Sequence, residues 1–116
     1  MTKEKYNLIL DVDSYKVTHF NQYPQNTKKL YAYIEARNLN SEELIFFGLQ
    51  AFVKKYLLNP ITQDDIDEAE KFLLSHIGVF NRDDWEYILN QHGGFLPIEI
   101  KSLDEGTVTN KKIPLL

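Results

Sequence analysis

The sequence predicts an α+β fold, a small mixed or antiparallel sheet with helices packed on it. Three patterns carry that prediction. Residues Lys29 to Arg37 alternate with a period of two, three later segments place apolar residues at helical spacing, and two of those segments open with capping signals.

The elements follow in chain order. The first apolar stretch, Leu8 to Leu10, runs into Asp11-Val12-Asp13-Ser14. Acidic residues and serine favour helix starts because their oxygens accept otherwise orphaned amide hydrogens. A short helix is expected from Ser14 to about Asn21, stopped by Tyr23-Pro24. In the alternating stretch, Leu30, Ala32, Ile34 and Ala36 point one way and Tyr31, Tyr33, Glu35 and Arg37 the other. That is a strand with one core face and one polar face. A second, shorter strand is expected at 43–47, buried and leading into Gly48.

Three helices come next. Leu49, Phe52, Val53, Tyr56 and Leu57 form one apolar stripe, ended by Asn59-Pro60. Thr62 and Asp65 have the spacing of a capping box, with Ile61 and Ile66 as its hydrophobic staple, and Gly78 closes that helix. Asn81 and Asp84, with Phe80 and Trp85, repeat the device. Trp85, Ile88 and Leu89 line the inner face, and Gly93-Gly94 supplies a left-handed stop. Further strands are expected at 95–103 and 107–109, separated by the turn Asp104-Glu105-Gly106.

Bulk composition narrows the function. The chain has 116 residues, enough for one domain, with 43% hydrophobic and 13% aromatic residues available for a core. Its 17 acidic and 13 basic residues leave a net charge of −4, which argues against a general nucleic-acid binder. There are no cysteines, so a disulfide framework or thiolate zinc site is excluded, and His19, His76 and His92 lack metal-ligand spacing. No targeting or membrane-spanning segment is visible, so a soluble, cytoplasmic protein is expected. The apolar ending Ile113-Pro114-Leu115-Leu116 lacks a stop signal and reads as a chain cut partway through a sheet.

The chemistry concentrates in residues 11–24. On spacing alone, Asp13 reads as a helix cap, Tyr15 as a half-buried aromatic and Arg37 as a solvated strand end. His19, four residues from Tyr15, shares its helix face, with a packing or hydrogen-bonding role. His92 suits a helix C-terminus, and the acidic run Asp64-Asp65-Asp67-Glu68 suits a helix N-terminus better than a metal. Yet Asp13-Ser14-Tyr15-Lys16, Thr18-His19-Phe20 and Gln22-Tyr23-Pro24 together resemble the opening of nicotinamide phosphoribosyltransferases. The likeness continues through the Tyr31–Arg37 stretch ending Glu-x-Arg, Phe46-Phe47-Gly48-Leu49-Gln50, Trp85 with Tyr87-Ile88-Leu89, and Leu96-Pro97-Ile98-Glu99-Ile100-Lys101.

That resemblance implies the incomplete N-terminal domain of a type II phosphoribosyltransferase, residues 1–116 forming one segment completed by later chain. It implies transfer of a phosphoribosyl group from 5-phosphoribosyl 1-pyrophosphate to nicotinamide, for NAD salvage. Mg²⁺ would act in the complete enzyme without binding this segment, ATP hydrolysis could be coupled, and a homodimer would share its active sites. The family's roles carry over to Tyr15 as the ring that stacks on the pyridine, Asp13 as a neighbour of the carboxamide, and Arg37 as part of the phosphate end. No residue of the segment is implied to be catalytic, and the isolated segment is expected to be inactive. Two other readings stay open, a nicotinate phosphoribosyltransferase segment and a non-catalytic dimerisation or binding module.

Overall fold

A computed structural model describes residues 6–116. Two 3-10 helices open it, at Leu8–Leu10 and Ser14–Asn21. Then come β1 (Glu43–Ile45), α1 (Leu49–Phe52, continuing as a π-helical turn Val53–Leu57), α2 (Gln63–His76), α3 (Arg82–His92) and β2 (Val108–Asn110). The mixed α+β class predicted from the sequence is the class observed.

The core is helical. Ile66 of α2 is fully buried, and Ile9, Ile61, Ala69 and Leu73 close around it. Trp85, Ile88 and Leu89 of α3 pack against this cluster, on the inner face expected for that helix. The capping box of α2 forms in full. Thr62 Oγ1 accepts from Asp65 N, and the Asp65 carboxylate accepts from Thr62 N at 2.8 Å. Asn81 stands at the α3 N-cap, but its amide donates to the Asp84 carboxylate, so its side chain caps no backbone group. Gly93 and Gly94 take positive φ and end α3 as predicted.

The sheet is smaller than the alternation suggested. β1 and β2 pair antiparallel, Glu43 opposite Asn110, Leu44 opposite Thr109 and Ile45 opposite Val108. Neither side is deeply covered. Phe46, just past β1, is buried, whereas Ile45 and Phe47 are 65% and 84% exposed, so the expected buried strand is only half-covered.

Residues 29–37 and 95–103 carry no strand. Instead Ile34 exchanges bonds with Leu115 and Leu116, and Leu103 N donates to Leu115 O. A ladder needs consecutive bonds to a neighbour of matching length. Among the described residues, the backbone hydrogen bonds that join these two segments to distant chain go to Leu115 and Leu116, and the expected core face of the first is exposed, Leu30 at 69%. The radius of gyration, 16.8 Å, exceeds the ~13 Å usual for this length, in keeping with a core confined to one side.

Candidate functional site

The Ser14–Asn21 helix presents the predicted binding residues. It is 3-10 throughout, long for that geometry. Side chains help hold it. Thr18 Oγ1 donates to Tyr15 O at 2.7 Å, and Gln22 Nε2 donates to Thr18 Oγ1 at 3.2 Å. Val17 packs against the helical core and so anchors the turn.

Tyr15 points outward and is 61% exposed, more than the half-buried aromatic that spacing alone suggests. Its hydroxyl donates to Asp13 Oδ2 across a long 3.3 Å, and its ring lies 6.0 Å from the His19 ring at 56°. The expectation that His19 shares a face with Tyr15 is met. Asp13 stands at the N-cap, but its side chain accepts no backbone N–H of the helix. The structure therefore brings Asp13, Tyr15 and His19 together.

Arg37 is not joined to them. Its segment is not the strand expected, its side chain is exposed, and no hydrogen bond or ion pair links it to Asp13 or Tyr15 among the described residues. A groove of about 500 Å³ runs beside the cluster, between the second 3-10 helix and α3. Its walls are mainly apolar, with Val17, Phe20, Trp85 and Ile88, and Lys16 and His19 also line it.

Several positioning residues escaped the sequence reading. Asn7 is buried and ties the first 3-10 helix to α2, donating to Asp65 O at 2.9 Å and to Glu68 Oε2 at 2.8 Å while accepting from Ile9 N. An asparagine directly before a short apolar turn signals the cap on Ile9 N, though not the reach to α2. Tyr6 donates to Asp11 Oδ2 at 2.6 Å, and burial followed by that hydrogen bond push its phenol up to about 12. Arg82 clasps α2 to α3 by reaching Asp67, Glu70 and Glu86. Those hydrogen bonds, led by the one to Asp67, raise the guanidinium pKa further, and Arg82 in turn lowers that of Asp67.

Glu105 is the least obvious of these. Its carboxylate accepts from Gly48 N at 2.7 Å and Gln50 N at 2.9 Å, pinning the turn before β2 onto the start of α1. The Gln50 and then the Gly48 amide hold its pKa below the ordinary 4.5. A carboxyl lowered in this way stabilises the fold above its unfolded value and loses that contribution as pH falls through the folded one. Glu105→Gln is therefore expected to flatten the acid limb of the stability curve. Urea midpoints measured from pH 6 to pH 3 check this, and identical acid limbs for the two proteins would refute it.

Among the described residues, no group of three or more His, Cys, Asp or Glu side chains could hold a metal ion, and no helix is long and apolar enough to cross a membrane. The fold and the site together define a small α+β domain that offers one open aromatic and acidic wall beside a helical core.

Comparison with known proteins makes this specific. Residues 7–100 match the family described as nicotinamide phosphoribosyltransferase, N-terminal domain. A protein named nicotinamide phosphoribosyltransferase from Xanthomonas campestris pv. campestris is 41% identical over 102 residues, covering 88% of this chain and 22% of its own length. Another of that name from Acinetobacter baylyi is 28% identical, covering 97% of this chain and 25% of its own. The chain belongs to the nicotinamide phosphoribosyltransferase N-terminal domain family. It spans about a quarter of the length of the curated relatives it matches.

Proposed function

We propose that this chain supplies the pyridine-stacking wall of an enzyme that joins nicotinamide to 5-phosphoribosyl 1-pyrophosphate in NAD salvage. The pyridine nitrogen bonds to ribose C1 as the C1–oxygen bond to pyrophosphate breaks, giving nicotinamide mononucleotide and pyrophosphate. The observation that carries the reading is the Tyr15 ring, 61% exposed on an anchored helix with Asp13 at its hydroxyl. A stiff aromatic ring can desolvate one face of a pyridine at small entropic cost.

Asp13 adds selectivity. Its carboxylate can accept from the amide NH₂ of nicotinamide and would repel the carboxylate of nicotinic acid. Accepting one bond from Tyr15 leaves the carboxylate further lone pairs for that purpose. Arg37 presents a planar fork suited to phosphate oxygens once a neighbouring segment or subunit brings the anion to it. In this reading residues 1–116 form one domain segment. The remaining pyrophosphate and ribose contacts come from the further length that the relatives possess, and a cytoplasmic homodimer shares its sites. Mg²⁺ on the leaving pyrophosphate and coupling to ATP belong to the complete enzyme. Among the described residues no group of three or more His, Cys, Asp or Glu side chains could hold the ion.

Tyr15→Ala in the full-length protein tests the reading. The KM for nicotinamide is expected to rise ~10–100-fold, the range of a lost aromatic stack on a base, while the circular dichroism spectrum stays unchanged. An unaltered nicotinamide KM in a folded variant would overturn the stacking role.

A further inference from the structure

We propose that His19 is a positioning residue that holds the Tyr15 ring as a fixed plate for a planar heteroaromatic amide. The proposal rests on the stacking role of Tyr15 and adds how the ring is kept in place. An exposed tyrosine on a surface turn is free to change rotamer, and stacking a ligand on it costs the entropy of stopping that motion. Here the ring is held at two points. The phenol oxygen is tied to Asp13, and the ring is braced by the His19 imidazole 6.0 Å away in a tilted contact.

His19 is suited to brace because it is itself held. It is half-buried and lines the groove together with Val17, Phe20 and Trp85. Its carbonyl accepts from Gln22 N at 3.0 Å, and the Gln22 side chain returns to Thr18. Thr18 in turn bonds the Tyr15 carbonyl. The turn from Tyr15 to Gln22 is thus a closed set of local hydrogen bonds, and the His19 imidazole it carries meets the Tyr15 ring. With 61% of Tyr15 exposed, surface remains for a ligand after His19 is in contact. His19 acts through Tyr15 and has no need to touch the ligand.

Steady-state kinetics of the full-length protein with nicotinamide and 5-phosphoribosyl 1-pyrophosphate test this. His19→Ala is expected to raise the nicotinamide KM roughly three- to tenfold, the worth of immobilising one side chain, with kcat and the KM of the second substrate little changed. His19→Phe, which restores a ring, is expected to recover most of the loss. His19→Leu, which fills the same edge without a ring, carries the alanine prediction if the alanine variant does not fold. A normal nicotinamide KM in His19→Ala or His19→Leu, alongside a raised one in Tyr15→Ala, overturns the positioning role and leaves the stacking role intact. A raised KM that His19→Phe does not rescue also overturns it, since the imidazole would then contact the ligand itself. A normal KM in Tyr15→Ala removes the stacking role on which both depend.

Discussion

Replacing Gly94 with alanine is expected to destabilise the domain by ~3 kcal/mol or more. Two costs combine. Gly94 has φ +85°, in the left-handed region where a side chain costs roughly 1–2 kcal/mol. A Cβ there would also stand 2.4 Å from Ile61 O and 3.1 Å from Ile61 N, both backbone atoms that cannot swing aside. The approach is close because Ile61 N donates to Gly94 O at 2.9 Å, joining the end of α3 to the start of α2. Gly106→Ala is the control. Gly106 has φ +87° with nothing within 4 Å of its added carbon, so only the conformational cost of ~1–2 kcal/mol is expected. Equal losses of thermal stability in the two variants would show that the Ile61 contact yields easily.

Ile66→Ala is expected to cost ~2–5 kcal/mol, the range for emptying a fully buried aliphatic site. Ile66 has no exposed surface and sits among Ile9, Ile61, Ala69 and Leu73. The first 3-10 helix leans on this cluster through Ile9, and Val17 of the second packs against it. Loosening it therefore reaches the Tyr15 turn. Urea unfolding gives the stability change, and Ile66→Val, losing one methyl, is expected to cost only ~0.5–1.5 kcal/mol. A loss below ~1 kcal/mol for the alanine variant would mean that these helices do not unfold as one unit.

The helices were legible in the sequence because their signals are local. Thr62 and Asp65 lie three residues apart, and a capping box needs nothing beyond those residues and the turn they close. The Gly93-Gly94 stop and the Trp85, Ile88 and Leu89 face are equally local. The pairing of Asp13 with Tyr15 and of Tyr15 with His19 spans at most four residues, and the short helix at 14–21 was expected there. Its 3-10 geometry was not, since the choice between helix types depends on bonds such as Thr18 to the Tyr15 carbonyl. The Asn81 spacing was as good as that of Thr62, yet its amide turned to the Asp84 carboxylate and the cap was lost.

By itself, then, the sequence determined the three helices with their boundaries, the turn at 104–106 and the aromatic-acidic turn around Tyr15. Each of these rests on interactions within a few residues. The tertiary structure decided what depends on distant partners. It limited the sheet to Glu43–Ile45 with Val108–Asn110, and left residues 29–37 without a ladder despite their alternation. Alternation states which side chains would share a face, whereas a strand exists only where a neighbour offers consecutive amides and carbonyls. The same distinction governs Glu105, Asn7 and Arg82. Glu105 meets Gly48 across 57 positions, Asn7 meets Asp65 across 58 and Arg82 meets Asp67 across 15. A hydrogen bond of that span has no signature in either residue, because its geometry is set by the fold that brings the two together.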